Sequence, residues 1–93
     1  MNNLEQNRQL INSIDQQMVK LFEERMNIVK DIALYKKENN LPILNEAREE
    51  SLINKNKSLL NNSELSSYYT EFIKEVLSIS KKYQNEIIKN ESK

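Results

Sequence analysis

The chain has 93 residues, 38% of them hydrophobic, and its 14 basic and 14 acidic side chains leave no net charge. Nucleic acids and anionic membranes bind proteins through an excess of positive charge, so this balance argues against either as the main partner. The length suits one small domain, which we expect to span residues 1–93.

Several residue types that support enzyme chemistry are absent from the sequence. It has no Cys and no His, and therefore no thiol nucleophile, no imidazole base and no disulfide. It has no Gly, which excludes a glycine-rich phosphate loop. No apolar run approaches about 18 residues and no signal-peptide pattern follows Met1, so we expect a cytoplasmic protein. If the chain is an enzyme, its reaction needs neither covalent catalysis nor a metal.

The first predicted helix runs from about residue 4 to about residue 38, without Gly or Pro inside it. Apolar residues recur in it every seven positions, which predicts one buried stripe along a long helix. Such a helix would be about 50 Å long, whereas a compact domain of this size has a radius of gyration of about 13 Å. The helix would therefore protrude from one subunit, and we expect it to pair with a second copy in a homodimer.

Two further helices are predicted after the single Pro of the chain. Pro42 disfavours helix just before it, and Asn45 suits the N-cap of a second helix over about residues 45–60. After a polar break rich in Asn and Ser, a third helix is expected over about residues 66–88. The predicted fold class is all-α, with three helices in each subunit. The buried side of the third helix is expected to carry Tyr69, Phe72, Ile73, Val76, Leu77, Tyr83 and Ile87.

An arginine interrupts the apolar stripe of the first helix. Arg25 follows Met18 by seven residues and precedes Ile32 by seven, where the repeat requires an apolar side chain. A guanidinium at a buried position must find an anion or lose several kcal/mol through desolvation. Lys36 comes eleven residues, or about three turns, after Arg25, so the two cations share a face roughly 16 Å apart.

Arg8 cannot reach the same small ligand from the same helix. It comes seventeen residues before Arg25, about 25 Å away along the helix axis and about 100° around it. An antiparallel second copy would bring the start of one helix near the middle of the other. Arg8 would then enter the site of the partner subunit.

The second and third helices also carry polar residues on their apolar faces. Arg48 continues an apolar column of the second helix, and Glu49 is next to it. Ser80 and Gln84, one turn apart, continue an apolar column of the third helix. These two are small neutral hydrogen-bonding groups, and their positions predict that they face inward.

Each of these polar residues, taken alone, has a structural explanation. An Arg in an apolar stripe usually extends its charged end to solvent or forms an ion pair. Asp15 could pair with Arg8. Glu49 could pair with Arg48 or Lys36. Together, however, the cations outnumber the carboxylate on the inward faces, and this surplus of positive charge indicates a bound multivalent anion.

Five segments of the chain, in order, resemble the AroQ-type (all-α) chorismate mutases. The resemblance covers about residues 4–88, nearly the whole chain. Any one segment is a weak signal, whereas all five together are specific. They are R-x-x-I-x-x-I-D (Arg8 to Asp15), L-x-x-x-R (Leu21 to Arg25), Lys36 eleven residues on, P-I-x-x-x-x-R-E (Pro42 to Glu49) and S-x-x-x-Q (Ser80 to Gln84).

The resemblance implies an intertwined homodimer of three-helix subunits with two equivalent active sites. It implies the [3,3] rearrangement of chorismate to prephenate, the step committed to phenylalanine and tyrosine, with no cofactor and no covalent intermediate. The substrate of this reaction is a dicarboxylate, which fits the surplus of inward cations.

The same resemblance implies which residues bind the two substrate carboxylates. Arg25, Arg48 and Ser80 match family positions within one subunit, and Arg8 matches the arginine that the other subunit supplies. Arg suits this task because its planar fork matches a carboxylate.

The resemblance also implies roles for the remaining polar residues. Lys36 and Gln84 match the pair that hydrogen-bonds the ether oxygen, so the expected catalytic set is these two with the substrate-binding Arg25. Glu49 matches the carboxylate that holds the ring hydroxyl. Many family members have Asp where this chain has Asn45, which can still cap the helix but cannot act as an ion. Asp15 matches a family position that we expect to have a structural role, so it is not among the predicted site residues.

Two alternative functions stay open from the sequence. Isochorismate pyruvate lyase shares this fold class and also handles a compact dicarboxylate in a cation-lined pocket. A non-catalytic helical dimerisation or regulatory module would fold as a dimer without turnover. The inward cations and Gln84 argue against the second alternative, because a pure dimer interface would favour Leu at those positions.

Overall fold

A computed structural model describes residues 3–91, which form three α-helices and one short 3₁₀ helix. Helix α1 spans Leu4–Glu38, α2 spans Glu46–Lys57 and α3 spans Ser66–Glu91, with the 3₁₀ helix Ser63–Leu65 leading directly into α3. This part of the chain contains no strand, and the prediction of an all-α fold with three helices is confirmed. None of the helices within it has an apolar stretch that could cross a lipid bilayer.

Helix α1 ends in a cap built on two consecutive Asn residues. Asn40 has a φ of 54°, in the left-handed region that Asn tolerates better than most residues. The N–H of Leu41 donates to the carbonyl of Lys36 at 2.8 Å, and the N–H of Asn40 donates to the carbonyl of Lys37 at 3.3 Å. This pair of bonds is a Schellman motif, which satisfies the last carbonyls of α1 and ends the helix one turn after Lys36.

Helix α2 begins at its expected cap but ends earlier than expected. The side-chain oxygen of Asn45 accepts a hydrogen bond from the N–H of Arg48 at 3.1 Å, which satisfies one of the free donors of the first turn. The helix stops at Lys57 and not near residue 60. There the hydroxyl of Ser58 donates to the carbonyl of Lys55 at 2.5 Å, a side-chain bond that competes with further helix.

Helix α3 starts as expected and continues about one turn beyond its expected end. The side chain of Asn62 accepts from the N–H of Glu64 at 3.0 Å and so caps the 3₁₀ helix that precedes it. The helical conformation then persists to Glu91. The sequence predicts that the last five residues, K-N-E-S-K, are frayed. Residues 89–91 of this tail are instead helical, and its last two residues lie outside the described range.

The interior of the single chain is small and partly polar. Helix α3 packs against α1 on one side and against α2 on another. The buried apolar residues within the described range are Val29, Ala33 and Ile73, from the second half of α1 and the middle of α3. Ser80 and Gln84 of α3 are also buried, so polar groups continue the same interior. Phe72, expected on the buried side of α3, is 50% exposed.

No other helix within residues 3–91 covers the first half of α1. Every residue from Asn3 to Glu24 is exposed, although this segment holds most of the heptad repeat. The longest dimension is 59 Å and the radius of gyration is 16.9 Å, well above the value of about 13 Å for a compact chain of this length. The apolar residues left exposed here are Leu4, Leu10, Ile11, Ile14, Met18, Val19, Leu21 and Phe22.

Candidate active site

A cavity of about 160 Å³ lies where α2 and the linker before it meet the second half of α1 and the second half of α3. A cavity of this size holds a small organic molecule and not merely one water. It contains seven of the eight substrate-binding residues predicted from the sequence, all except Arg8. The residues that line it are Arg25, Val29, Ile32, Lys36, Ile43, Asn45, Arg48, Glu49, Leu52, Leu77, Ser80, Lys81 and Gln84.

Arg25 can lie in the apolar stripe because a hydroxyl on α3, that of Ser80, faces its guanidinium. Its guanidinium donates a hydrogen bond to Oγ of Ser80, which in turn donates to the carbonyl of Val76 at 2.9 Å. Ser80 is buried and Arg25 is half-buried. The hydroxyl is neutral, so it orients the guanidinium without cancelling its charge. Arg25 therefore keeps the capacity to bind an anion in the cavity.

Lys36 is held at the rim of the cavity by the chain that follows α1. Its ammonium donates to the carbonyl of Ile43 at 2.8 Å. The Schellman motif at the end of α1 allows this contact, since it brings the linker back beside the last turn of the helix. An ammonium has three N–H donors, so two remain for a ligand after this bond is made. The position of the charge is thus fixed before any ligand binds.

The first turn of α2 places three polar residues against the cavity. Asn45, Arg48 and Glu49 all line it, and the capping bond from Asn45 to the backbone of Arg48 fixes the start of the helix. The exposed side chain of Arg48 makes no hydrogen bond or ion pair with any other residue between Asn3 and Glu91. Its guanidinium is therefore available to an anionic ligand.

Glu49 pairs with a lysine that the sequence reasoning missed. The ammonium of Lys81 lies 3.1 Å from one carboxylate oxygen of Glu49 and 3.2 Å from the other. Glu49 thus pairs with neither Arg48 nor Lys36, the two partners suggested from the sequence. The sequence held one signal for this pairing. Lys81 directly follows Ser80, which was predicted to face inward, and the inward carboxylate of Glu49 needed a cation.

Gln84 brings an amide into the buried end of the cavity. It is 7% exposed, and its side-chain oxygen is buried without a hydrogen-bond partner among the described residues. An unsatisfied buried polar atom costs about 1–3 kcal/mol. A buried polar atom without a partner calls for an explanation, and this one lies in the wall of the cavity that gathers seven of the predicted residues.

The cavity carries a surplus of positive charge between apolar walls. Four cations and one carboxylate line it, and the carboxylate is already paired with Lys81. Val29, Ile32, Leu52 and Leu77 form apolar parts of the lining, which exclude water and strengthen electrostatic interactions. Nowhere in residues 3–91 do three acidic side chains cluster as a metal site would require. The arrangement suits a small ligand that carries two negative charges.

Comparison with known protein families identifies the chain at family level. The chorismate mutase type II family matches residues 7–85, which is most of the chain and contains every predicted site residue. The chain belongs to the chorismate mutase type II family. This is the AroQ family, so the resemblance stated from the five segments is confirmed. No similar protein was found among curated sequences, and no similar structure among solved ones.

Membership in the chorismate mutase family implies an isomerase-type enzyme. Two of the polar family-matched residues lie outside the cavity of the single chain, namely Arg8 and Asp15. Both are exposed on the first half of α1, and across residues 3–91 neither forms an ion pair. The suggested pairing between them is therefore absent from the chain as it stands. Arg8 lies at a distance from the other candidates, as its spacing from Arg25 required.

Proposed function

We propose that this chain is a cytoplasmic chorismate mutase that converts chorismate to prephenate for the synthesis of phenylalanine and tyrosine. The observation that carries the proposal is the cavity that unites Arg25, Lys36, Arg48 and Gln84 in a member of this family. The reaction is an intramolecular [3,3] rearrangement, in which one C–O bond breaks and one C–C bond forms. It needs positioned charges and no nucleophile, which fits a chain without Cys or His.

Binding of the two carboxylates supplies the order that the rearrangement requires. Chorismate must fold so that the enolpyruvyl carbon lies over the ring carbon to which it will bond. Arg25, oriented by Ser80, and Arg48, whose side chain has no partner within residues 3–91, both line the cavity and would bind the substrate carboxylates. Holding both carboxylates restricts the flexible substrate to one reactive conformation.

Lys36 and Gln84 are proposed to stabilise the charge that develops on the ether oxygen. As the C–O bond breaks, negative charge builds on this oxygen. The ammonium of Lys36 is held by the carbonyl of Ile43, and Gln84 is buried, so both groups are in place beforehand. Donors fixed in a cavity with apolar walls stabilise the transition state more than the substrate, and this difference accelerates the reaction.

Glu49 is proposed to accept the hydrogen bond of the ring hydroxyl. Its carboxylate lines the cavity, and each of its oxygens keeps a lone pair after pairing with Lys81. Asn45 lies at the same end of α2, where its oxygen caps the helix. Its amide NH₂ stays available for the substrate, so we include Asn45 among the substrate-binding residues.

The active unit is proposed to be an intertwined homodimer in which Arg8 completes the site of the other subunit. Two observations support this. The first half of α1 exposes a row of apolar side chains that one chain does not cover, and such rows mark protein interfaces. Arg8 also lies on that half, away from the cavity of its own chain. An antiparallel second α1 would cover this apolar row and would also bring Arg8 to the cavity of the other subunit.

The first test is the loss of chorismate absorbance with purified protein, with prephenate identified by its acid conversion to phenylpyruvate. Rapid loss of chorismate with formation of prephenate supports the proposal. Isochorismate is assayed in parallel, because release of pyruvate from it without turnover of chorismate would assign the lyase activity instead. A folded dimer that turns over neither compound would contradict an enzymatic function and favour the regulatory module.

A further inference from the structure

Lys81 is a cavity residue to which neither the matched segments nor the proposed mechanism gives a role. Its ammonium spans both oxygens of Glu49, at 3.1 and 3.2 Å, and so joins α3 to α2 across 32 residues of sequence. The side chains of Lys81 and Glu49 are only 31% and 24% exposed. This is the one ion pair found within the described part of the chain.

The position of this pair matters because Glu49 lines the same cavity as the cations that would bind a dicarboxylate substrate. Arg48 is the next residue along α2, and Arg25 and Lys36 line the same cavity. A carboxylate without its own counter-ion would attract one of these groups, and an arginine fork binds a carboxylate better than most partners. It would also repel a dianionic substrate at close range. Lys81 removes both problems by pairing with Glu49 from the α3 side.

The geometry of the pair also defines what Glu49 can offer to a ligand. Because the ammonium contacts both oxygens almost equally, it fixes the plane of the carboxylate and does not leave it free to rotate. Each oxygen retains lone pairs that can accept a hydrogen bond from a substrate hydroxyl. An exposed lysine would order a carboxylate less well, since solvent weakens such pairs.

We propose that Lys81 is a positioning residue for the rearrangement, which acts through Glu49 and does not itself contact the substrate. It holds the Glu49 carboxylate in the orientation that receives the ring hydroxyl and leaves Arg25 and Arg48 free for the substrate carboxylates. This inference rests on the proposed function. The alternative is a purely structural contact between α2 and α3, whose loss would lower thermal stability and leave the kinetics of the folded protein unchanged.

The test is a double-mutant cycle in chorismate turnover with Lys81→Met, Glu49→Gln and the double variant, each checked for folding by circular dichroism. Lys81→Met is expected to lower kcat/KM by about 10-fold or more, mainly through KM. In the Glu49→Gln background the same change is expected to cost less than about 3-fold, because the group that Lys81 positions is already altered. Lys81→Arg, which keeps the charge, is expected to recover most of the activity.

Lys74→Met is the matched control. Lys74 lies seven residues before Lys81 on the same face of α3. It does not line the cavity but an adjoining outer groove, which shares Glu49, Leu77 and Lys81 with the cavity. Removing its charge is expected to change kcat/KM by less than about 2-fold. If Lys81→Met does not fold, Lys81→Gln, which keeps a polar side chain, is measured in its place.

Three results would overturn the positioning role. Lys81→Met could have wild-type kinetics, with or without a lower melting temperature. Its effect could also be fully additive with that of Glu49→Gln, which would mean that Lys81 acts independently of Glu49. In the third case, the wild-type protein would not convert chorismate at all. This last result rejects the proposed function and the inference together, whereas the first two reject the inference alone.

Discussion

The two halves of α1 follow one heptad repeat but differ in what they contact. From Leu4 to Glu24 the repeat is apolar at every position except Asn7, and every residue is exposed in the single chain. From Arg25 to Glu38 the repeat includes the charged Arg25, yet this half contains both buried residues of the helix, Val29 and Ala33. Within residues 3–91 the more apolar half is thus not covered by another helix, and the more polar half packs against α3 beside the cavity.

This difference shows that periodicity alone does not tell where a helix buries its stripe. The second half of α1 is buried by elements of its own chain, which supply Ser80 for Arg25 and the Ile43 carbonyl for Lys36. The first half has a repeat that is suited to another helix, and no other helix within residues 3–91 covers it. We therefore propose that the first half forms the subunit interface and that the second half carries the chemistry, and the two can be perturbed separately.

The largest effect is expected from Lys36→Met in the second half. Loss of the ammonium that stabilises the ether oxygen should lower kcat by about 10³-fold or more, which corresponds to about 4 kcal/mol of transition-state stabilisation. The oligomeric state should stay unchanged, as judged by sedimentation. Lys37→Met, one residue away and outside the cavity, serves as the control and should retain activity within about 2-fold. Near-normal turnover in Lys36→Met would remove Lys36 from the mechanism.

A substitution in the first half should instead break the assembly. Ile14→Glu places a charge in the apolar row of α1, where burial without a partner costs about 3 kcal/mol or more. We expect sedimentation to show a shift toward monomer at micromolar concentration, and activity to fall with it. Gln16→Glu adds the same charge two residues on, on the side of the heptad opposite the row, and should remain dimeric. Equal behaviour of the two variants would argue against an interface on this row.

The smallest effect is expected outside α1, at the cap that sets the start of α2. Asn45→Ala removes the acceptor for the N–H of Arg48 and should destabilise the fold by about 1 kcal/mol, or about 4–8 °C in melting temperature. Asn45→Asp keeps the acceptor and should melt within about 2 °C of the wild type. Equal losses of melting temperature in the two variants would show that the capping bond contributes no stability.

The sequence predicted the start and end of α1 well because nothing inside it breaks a helix. The end of α2 was harder to predict. Leu59 and Leu60 continue an apolar pattern, but their N–H groups donate to the carbonyls three residues before them, in tighter turns than an α-helix makes. At the same place the Ser58 hydroxyl donates to the Lys55 carbonyl. Local hydrogen bonds from a side chain to the backbone compete with helix formation, and the spacing of apolar residues does not reveal them.

Most residues of the candidate site were predicted from the sequence, whereas the side chains with which they pair were not. The family segments predicted seven of the eight polar residues that the cavity brings together, since their spacing reflects which helix faces meet. Arg25 was expected to need an anion, but its partner in the chain is the neutral hydroxyl of Ser80. Lys81 was missed because lysines are common on exposed helix faces, and its pairing with Glu49 depends on how α2 packs on α3.

In the proposed dimer, the first half of α1 completes the active site of the second subunit, and the second half builds the site of its own subunit. Mixing Arg8→Ala and Arg25→Ala subunits tests this most directly, because each variant should be inactive alone. Random exchange makes half of the dimers mixed, and each mixed dimer regains one intact site, so about a quarter of wild-type activity should return. No recovery after exchange has been demonstrated would contradict a shared site.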